Sequence, residues 1–191
     1  SDPLTNESVF DLREKPESLA ILGAGAIGCE LAQVFARLGV RVELFELATR
    51  VLPNESELAS ATVAQALTQA GVRIHTGHAV REIKNGGQVV TDKGNIECER
   101  VLVALGRQPN TDGMKLADAK VEVDQRGFIV TDNKLRTTNK KIFAAGDCAA
   151  ALQFTHHADA QARVLVQNAL FPATAKVDDL VVPHCTYTQP E

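Results

Sequence analysis

The spacing of apolar positions changes several times along this chain, and each change marks an element. Ser18–Gly23, SLAILG, is a short apolar run closed by glycine, the pattern of a buried strand. Ile27, Leu31, Val34, Phe35 and Leu38 then recur at helical steps, so a helix with that stripe on its core face is predicted, stopped by Gly39. VRVELFE alternates Val40, Val42 and Leu44 against Arg41 and Glu43, which predicts a second strand with those two charges on its polar face. NESELASATVAQALTQAG has its acidic residues early and Gly71 at its end, the charge order that a helix dipole favours. VRIHT reads as a third short strand.

The texture then shifts. AVREIKNGGQVVTDKGNIECERVLVALG places Asn85-Gly86-Gly87 and Lys93-Gly94-Asn95 between short alternating runs, which predicts an antiparallel meander followed by a buried strand, RVLVALG. Past Pro109, VEVDQRGFIVTDNKLRTTNKKIFAAGD has short strands and loops without a helix. THHADAQARVLVQNALF is helical again, with Ala158, Ala162, Leu165, Val166, Ala169 and Leu170 as its expected core stripe. PATAKVDDLVVPHCTYTQPE is bounded by prolines and reads as open chain.

The sequence GAGAIG joins the first strand to the first helix. A strand that turns directly into a helix leaves main-chain N–H groups free at the helix start, where the dipole also favours an anion. Gly23 permits the tight turn, Gly25 lets a pyrophosphate approach the backbone, and Gly28 lets helix and strand pack closely. Ala26 and Ile27 contribute the first amides of the helix. Glu46 ends the second strand eighteen residues past Gly28, near the spacing of an acid that binds an adenosine ribose. Its charge would repel a 2′-phosphate, which favours NAD over NADP; Arg50, four residues on, leaves NADP open. The fold class expected is α/β: a Rossmann-like NAD-binding domain with a parallel sheet and an antiparallel meander.

Composition narrows the partners. The chain has 191 residues, is 45% apolar and carries a formal charge of −4, which suits a packed core and not a nucleic-acid partner. No run is long and apolar enough to span a bilayer, and SDPLTNESVF has neither the basic nor the apolar part of a secretory signal. Cys29, Cys98, Cys148 and Cys185 lie far apart with no metal-ligand or dithiol spacing. Four reduced cysteines in a cytoplasmic protein are therefore expected. No metal site is expected.

Three motifs at their mutual separations carry a family resemblance. GAGAIG, VLVALGRQPN and IFAAGDC, with LTNESVFDL before them and PHCTYTQPE after, resemble the FAD-dependent pyridine nucleotide–disulfide oxidoreductases. Lipoamide dehydrogenases and mercuric reductases look most similar, and the resemblance covers nearly the whole chain. In that family an NAD domain is inserted into an FAD domain. The resemblance implies an NAD-binding domain over residues 1–112, the second half of an FAD-binding domain over 113–182, and the start of a dimerisation domain over 183–191. It also implies that Asp147 bonds the FAD ribityl chain, that Gly106 and Arg107 lie where the last NAD-domain strand meets the cofactor cleft, and that Glu30 lies near nicotinamide and flavin.

The same resemblance implies what else to expect. Family members open with an FAD-type glycine motif, carry a CxxxxC redox pair and end in a dimerisation domain with a His–Glu pair; none of these is in the sequence. The chain is thus expected to be a fragment, inactive alone, of a homodimeric flavoenzyme that passes hydride from NADH to FAD and on to a disulfide or metal acceptor. An NADH oxidase or ferredoxin-reductase-like parent is the alternative. His156 and His157 are expected to be helix-start residues packed against the other half of the FAD domain, and Cys148 a packing residue.

Overall fold

The computed structural model describes residues 2–84, 86–150 and 152–190; Asn85 of the predicted Asn-Gly-Gly turn lies outside them. The chain divides into two compact units, Ser1–Gly106 with Cys185–Glu191, and Arg107–His184.

In the first unit the elements are β1 (Ser18–Leu22), α1 (Ala26–Arg37), β2 (Arg41–Glu46), α2 (Glu57–Gln69), β3 (Arg73–Thr76), β4 (Val80–Lys84), β5 (Gln88–Thr91), β6 (Gly94–Glu97) and β7 (Arg100–Val103). β3-β2-β1-β7 form a parallel sheet, and β4-β5-β6 form a separate antiparallel sheet. This is the mixed α/β fold expected, with the meander standing where a helical crossover would otherwise lead to β7. Ser56 caps α2 by accepting the Ala59 N–H at 3.2 Å, which answers one of the donors left free at a helix start.

Two apolar clusters lie in this unit. One joins Leu19, Ile21, Val42, Leu44 and Leu102 of the sheet to Cys29, Ala32, Val63 and Leu67 of α1 and α2. The other joins Ala20, Leu22, Phe45 and Val101 to Val89 and Cys98 of the meander region. Both faces of the parallel sheet are therefore covered, and β1 is buried at every position.

That second cover corrects the reading of β2. Glu43 does not lie on a solvated face: it is 2% exposed. Its carboxylate accepts from Arg41 Nη1 at 3.3 Å, Arg73 Nη1 at 3.1 Å and His75 Nε2 at 2.8 Å. A buried charge needs such partners, and strand alternation alone cannot reveal that the far face of a sheet has been covered.

The helix stripes need correction too. α1 buries Gly28, Cys29, Ala32 and Gln33, while Val34 and Leu38 are exposed and Leu31 and Phe35 pack only partly. Small residues win the inner face because the helix lies close against β1. The outer side of α1 holds residues 187–189. Glu30 Oε1 accepts the Tyr187 N–H at 2.9 Å, and Arg37 Nη1 donates to Gln189 Oε1 at 2.9 Å. Gln33 takes both main-chain groups of Gln189, accepting its N–H at 2.7 Å and donating to its carbonyl at 3.0 Å.

The second unit is built on turns. Its core is Val121, Ile129 and Ala144, with Leu116, Ala119, Ile142, Cys148 and Ala149 packed around them. Bridges Val123–Ile129, Thr131–Thr137 and Arg136–Phe143 replace long strands. α3 (Thr155–Leu170) follows, and it buries His157, Gln161, Val164 and Asn168, not the apolar stripe expected. Ala162, Val166, Ala169 and Leu170 face outward. His157 consequently packs inside its own unit, whereas His156 is exposed and bonds the Pro183 carbonyl through Nε2 at 2.8 Å.

Candidate functional site

The turn from β1 into α1 is fixed by packing at two of its three glycines and left open at the third. A Cβ on Gly23 would overlap the Ala104 carbonyl oxygen, and φ there is +101°. A Cβ on Gly28 would overlap the Gly23 carbonyl oxygen. These two are needed by the fold itself. Gly25 is different: its φ is −71° and its ψ −174°, extended backbone that any residue adopts, and a Cβ there would meet nothing within 4 Å. No packing demand accounts for a glycine at position 25. The space directly over this helix start is open.

Gly25 is also the N-cap of α1 and supplies no side chain to bond the first amides. The first bond of the helix is from the Cys29 N–H to the Gly25 carbonyl at 2.9 Å, so the N–H groups of Ala26, Ile27 and Gly28 have no partner within the helix. Their amides, with the helix dipole, make a positive rim beside that space. No acidic residue stands in the first turn before Glu30.

Glu46 is tied into the same loop. Its Oε2 accepts the Ala24 N–H at 2.8 Å and its Oε1 accepts the Ala48 N–H at 2.9 Å. A carboxylate has about four acceptor positions, so each oxygen keeps one for a hydroxyl. The Ala24 carbonyl in turn accepts from Leu52 N at 2.8 Å and from the Cys29 thiol at 3.4 Å. Burial, helped by the charges of Glu46 and Glu30, pushes the Cys29 thiol up to about 12, which makes it an inert packing group. Cys98 is likewise pushed up to about 11, chiefly by burial. Arg50 spends its Nη2 on the Pro53 and Glu55 carbonyls at 2.9 and 2.8 Å, holding the loop after β2.

The remaining sequence-predicted residues fall in two places. Gly106 follows β7 at the end of the first unit, at φ +132°, with nothing near its Cα side. Arg107 and Asp147 meet in the second unit as a half-exposed ion pair at 3.0 Å, and the same Arg107 nitrogen donates to the Gln153 carbonyl at 2.7 Å. The two amides that grip Glu46 and the carbonyls that restrain Arg50 escaped sequence reading, because main-chain groups leave no signature in residue identity. No cluster of metal-ligating residues is found among the described residues, and no helix among them is long and apolar enough to cross a membrane.

Comparison with known proteins agrees with this arrangement. The model of the pyridine nucleotide-disulphide oxidoreductase family matches residues 1–162. The chain belongs to that family. A mercuric reductase from Staphylococcus aureus is 34% identical over 99% of this chain and 36% of its own length. A dihydrolipoyl dehydrogenase from Chlamydia muridarum is 36% identical over 98% of this chain and 41% of its own length. Among solved structures, the HOCl-induced flavoprotein disulfide reductase RclA from Escherichia coli superposes with a TM-score of 0.91 at 33% identity, covering 97% of this chain and 44% of that one. The water-forming NADH oxidase from Lactobacillus brevis bound to NADH gives 0.75 at 29% identity, over 89% of this chain and 40% of its own. The chain thus spans between about a third and somewhat under half of these relatives.

Proposed function

We propose that this chain is the nicotinamide-dinucleotide-binding part, with half of the flavin-binding part, of an oxidoreductase that uses NADH to reduce FAD. The observation that carries the reading is Gly25. Packing requires Gly23 and Gly28 but not Gly25, and a glycine there leaves the space over the helix start clear for a pyrophosphate to lie against the backbone. A pyrophosphate there would accept from the amides of the first turn of α1, and Glu46 would hold the adenosine ribose with the lone pairs that Ala24 and Ala48 leave unused. NAD is favoured over NADP because Glu46 is anionic, and Arg50 has its Nη2 on the Pro53 and Glu55 carbonyls and its Nη1 buried.

When bound, the two cofactors supply hydride transfer from the nicotinamide to the flavin. This chain's share is binding and orientation. Asp147, half-exposed and steadied by Arg107, offers a carboxylate to a flavin ribityl hydroxyl. Glu30, at the end of the first turn of α1, and Gly106 belong to the nicotinamide end in this reading. The mercuric reductases and dihydrolipoyl dehydrogenases among the relatives favour a metal or disulfide acceptor, and the parent is read as a homodimer. The likeness to an NADH oxidase supports dioxygen as the alternative.

Calorimetric titration with NADH and NADPH tests the reading. NADH should bind the tighter, and Glu46→Ala should weaken it by about 1–3 kcal/mol, the loss of a charged hydrogen bond. Equal or tighter NADPH binding would remove Glu46 as the selector. Absence of binding by either dinucleotide, in this chain and in the full-length protein, would remove the assignment of the glycine loop.

A further inference from the structure

The first two turns of α3 bury two polar side chains one above the other. Gln161 is 3% exposed and His157 5%. The Gln161 amide is oriented from one end: the Gly146 N–H reaches its Oε1 at 2.7 Å. A main-chain amide can only donate, so the oxygen must face it. The Gln161 NH₂ therefore faces His157 Nε2, at 2.8 Å. That NH₂ also can only donate, so Nε2 must accept. The imidazole is then neutral, with its proton on Nδ1, and Nδ1 is buried with no partner among the described residues.

A second proton has no place in this chain of bonds. On Nε2 it would meet the Gln161 NH₂, donor against donor. Turning the amide over would cure that contact and move the same conflict to the Gly146 N–H. One bond of the relay is lost either way. The charged groups that act on the ring are Asp147, from the turn before α3, and His156, from its own helix. Burial first, and then His156, hold His157 below its ordinary value, against a smaller upward pull from Asp147.

The far end of the relay is the turn that presents Asp147. Gly146 has φ +80°, and a Cβ there would press on the Ala158 Cβ at 3.3 Å. The next residue, Asp147, is held on its other side by Arg107 and, through its carbonyl, by Gln153 Nε2 at 3.4 Å. On its inner side the Gly146 N–H is held by Gln161, and the Gly146 carbonyl accepts from Ala149 N at 2.9 Å.

We propose that His157 and Gln161 are positioning residues for the Gly146–Asp147 turn, and that protonation of His157 turns the Gln161 amide over and so releases the Gly146 N–H. The relay stands on these contacts alone; its bearing on flavin binding rests on the reading of Asp147 given above. The class of ligand affected is one that places a hydroxyl against the Asp147 carboxylate.

Nuclear magnetic resonance of the uniformly ¹⁵N-labelled chain, taken from pH 8 to pH 5, tests it without any cofactor. At pH 8 the His157 ring should show the Nδ1–H tautomer. As pH falls, the Gly146 amide should shift and lose exchange protection with the same midpoint as His157, below about 6.5, the ordinary histidine value. His157→Gln offers a carbonyl near the Nε2 position and cannot titrate, so Gly146 should stay at its high-pH position throughout. In Gln161→Leu, His157 should still titrate while Gly146 no longer follows it. A simple packing role for His157 would give no pH response at Gly146. The Nε2–H tautomer in the unaltered chain, or a Gly146 titration that persists in His157→Gln, would overturn the proposal. Flavin binding enters none of these readouts. A failed relay therefore leaves the reading of Asp147 standing, and a flavin-free parent protein leaves the relay standing.

Discussion

Of three glycines within six residues, packing requires Gly23 and Gly28 and makes no demand on Gly25, and substitution distinguishes them. Gly28→Ala should destabilise the first unit by several kcal/mol, since its methyl would overlap the Gly23 carbonyl and overpacking typically costs about 1–3 kcal/mol where neighbours can still yield. Gly25→Ala meets neither a clash nor a left-handed backbone, so its unfolding free energy from denaturant titration should fall only by the loss of a favoured N-cap, about 1 kcal/mol. NADH affinity should nevertheless fall at least tenfold by calorimetry, because the added methyl occupies the open space. If Gly25→Ala unfolded the chain and spared binding, the division of roles would be wrong. At this scale the sequence was informative: the spacing of Gly23, Gly25, Gly28 and Glu46 pointed to the loop that the structure assembles. Sequence could not show that Glu46 also holds Ala24 and Ala48, since those bonds depend on the return of β2 beside β1.

At the level of elements, β1 to β7 were legible from periodicity, and the faces of the helices were not. Both α1 and α3 carry an apolar stripe that their folds leave partly or largely exposed. In α1 the close approach to the sheet selects Gly28, Cys29 and Ala32 over the larger Val34 and Leu38. In α3 the buried side is His157, Gln161, Val164 and Asn168, a largely polar stripe in which Gln161 and Asn168 bond main-chain groups and His157 bonds Gln161. Asn168, for example, donates to the Ala175 carbonyl at 2.9 Å and accepts the Ala175 N–H at 3.2 Å. Hydropathy ranks such residues as outward-facing because it cannot count their hydrogen bonds. This polar burial gives α3 a pH signature. His157 binds a proton less readily in the fold than in the unfolded chain, where its value is near 6.5. Above about pH 6.5 neither state is protonated there and the residue contributes no slope. Below that, the unfolded state binds more protons, so stability should fall as pH drops, until the folded pKa is reached. Urea unfolding followed at pH 7.5, 6.5 and 5.5 should show this decline, and His157→Gln should flatten its share of it.

Across the molecule the two units differ in how they are held together. The first has a four-stranded parallel sheet covered on both faces. The second has a core centred on Val121, Ile129 and Ala144 and leans on turns and side-chain bonds. Stability in proteins follows such differences in buried apolar contact. Hydrogen exchange should therefore show the slowest amides in β1 and β2, with amides of the Val121–Phe143 region exchanging through smaller openings. Equal protection in both regions would mean that they unfold as one. The sequence marked a change of texture past Pro109, but not that residues 185–190 would come back to the first unit. That return depends on what Gln33 recognises. Its amide holds the N–H and carbonyl of residue 189 and ignores the side chain between them, so the grip is indifferent to which amino acid passes through it. Mutation to any residue other than proline could thus drift through position 189 at the cost of one arginine contact, while a change at position 33 would loosen the segment whatever its sequence. The expected evolutionary record is a constrained glutamine on the helix facing a variable partner, an asymmetry that a comparison of residue variation at the two positions would expose.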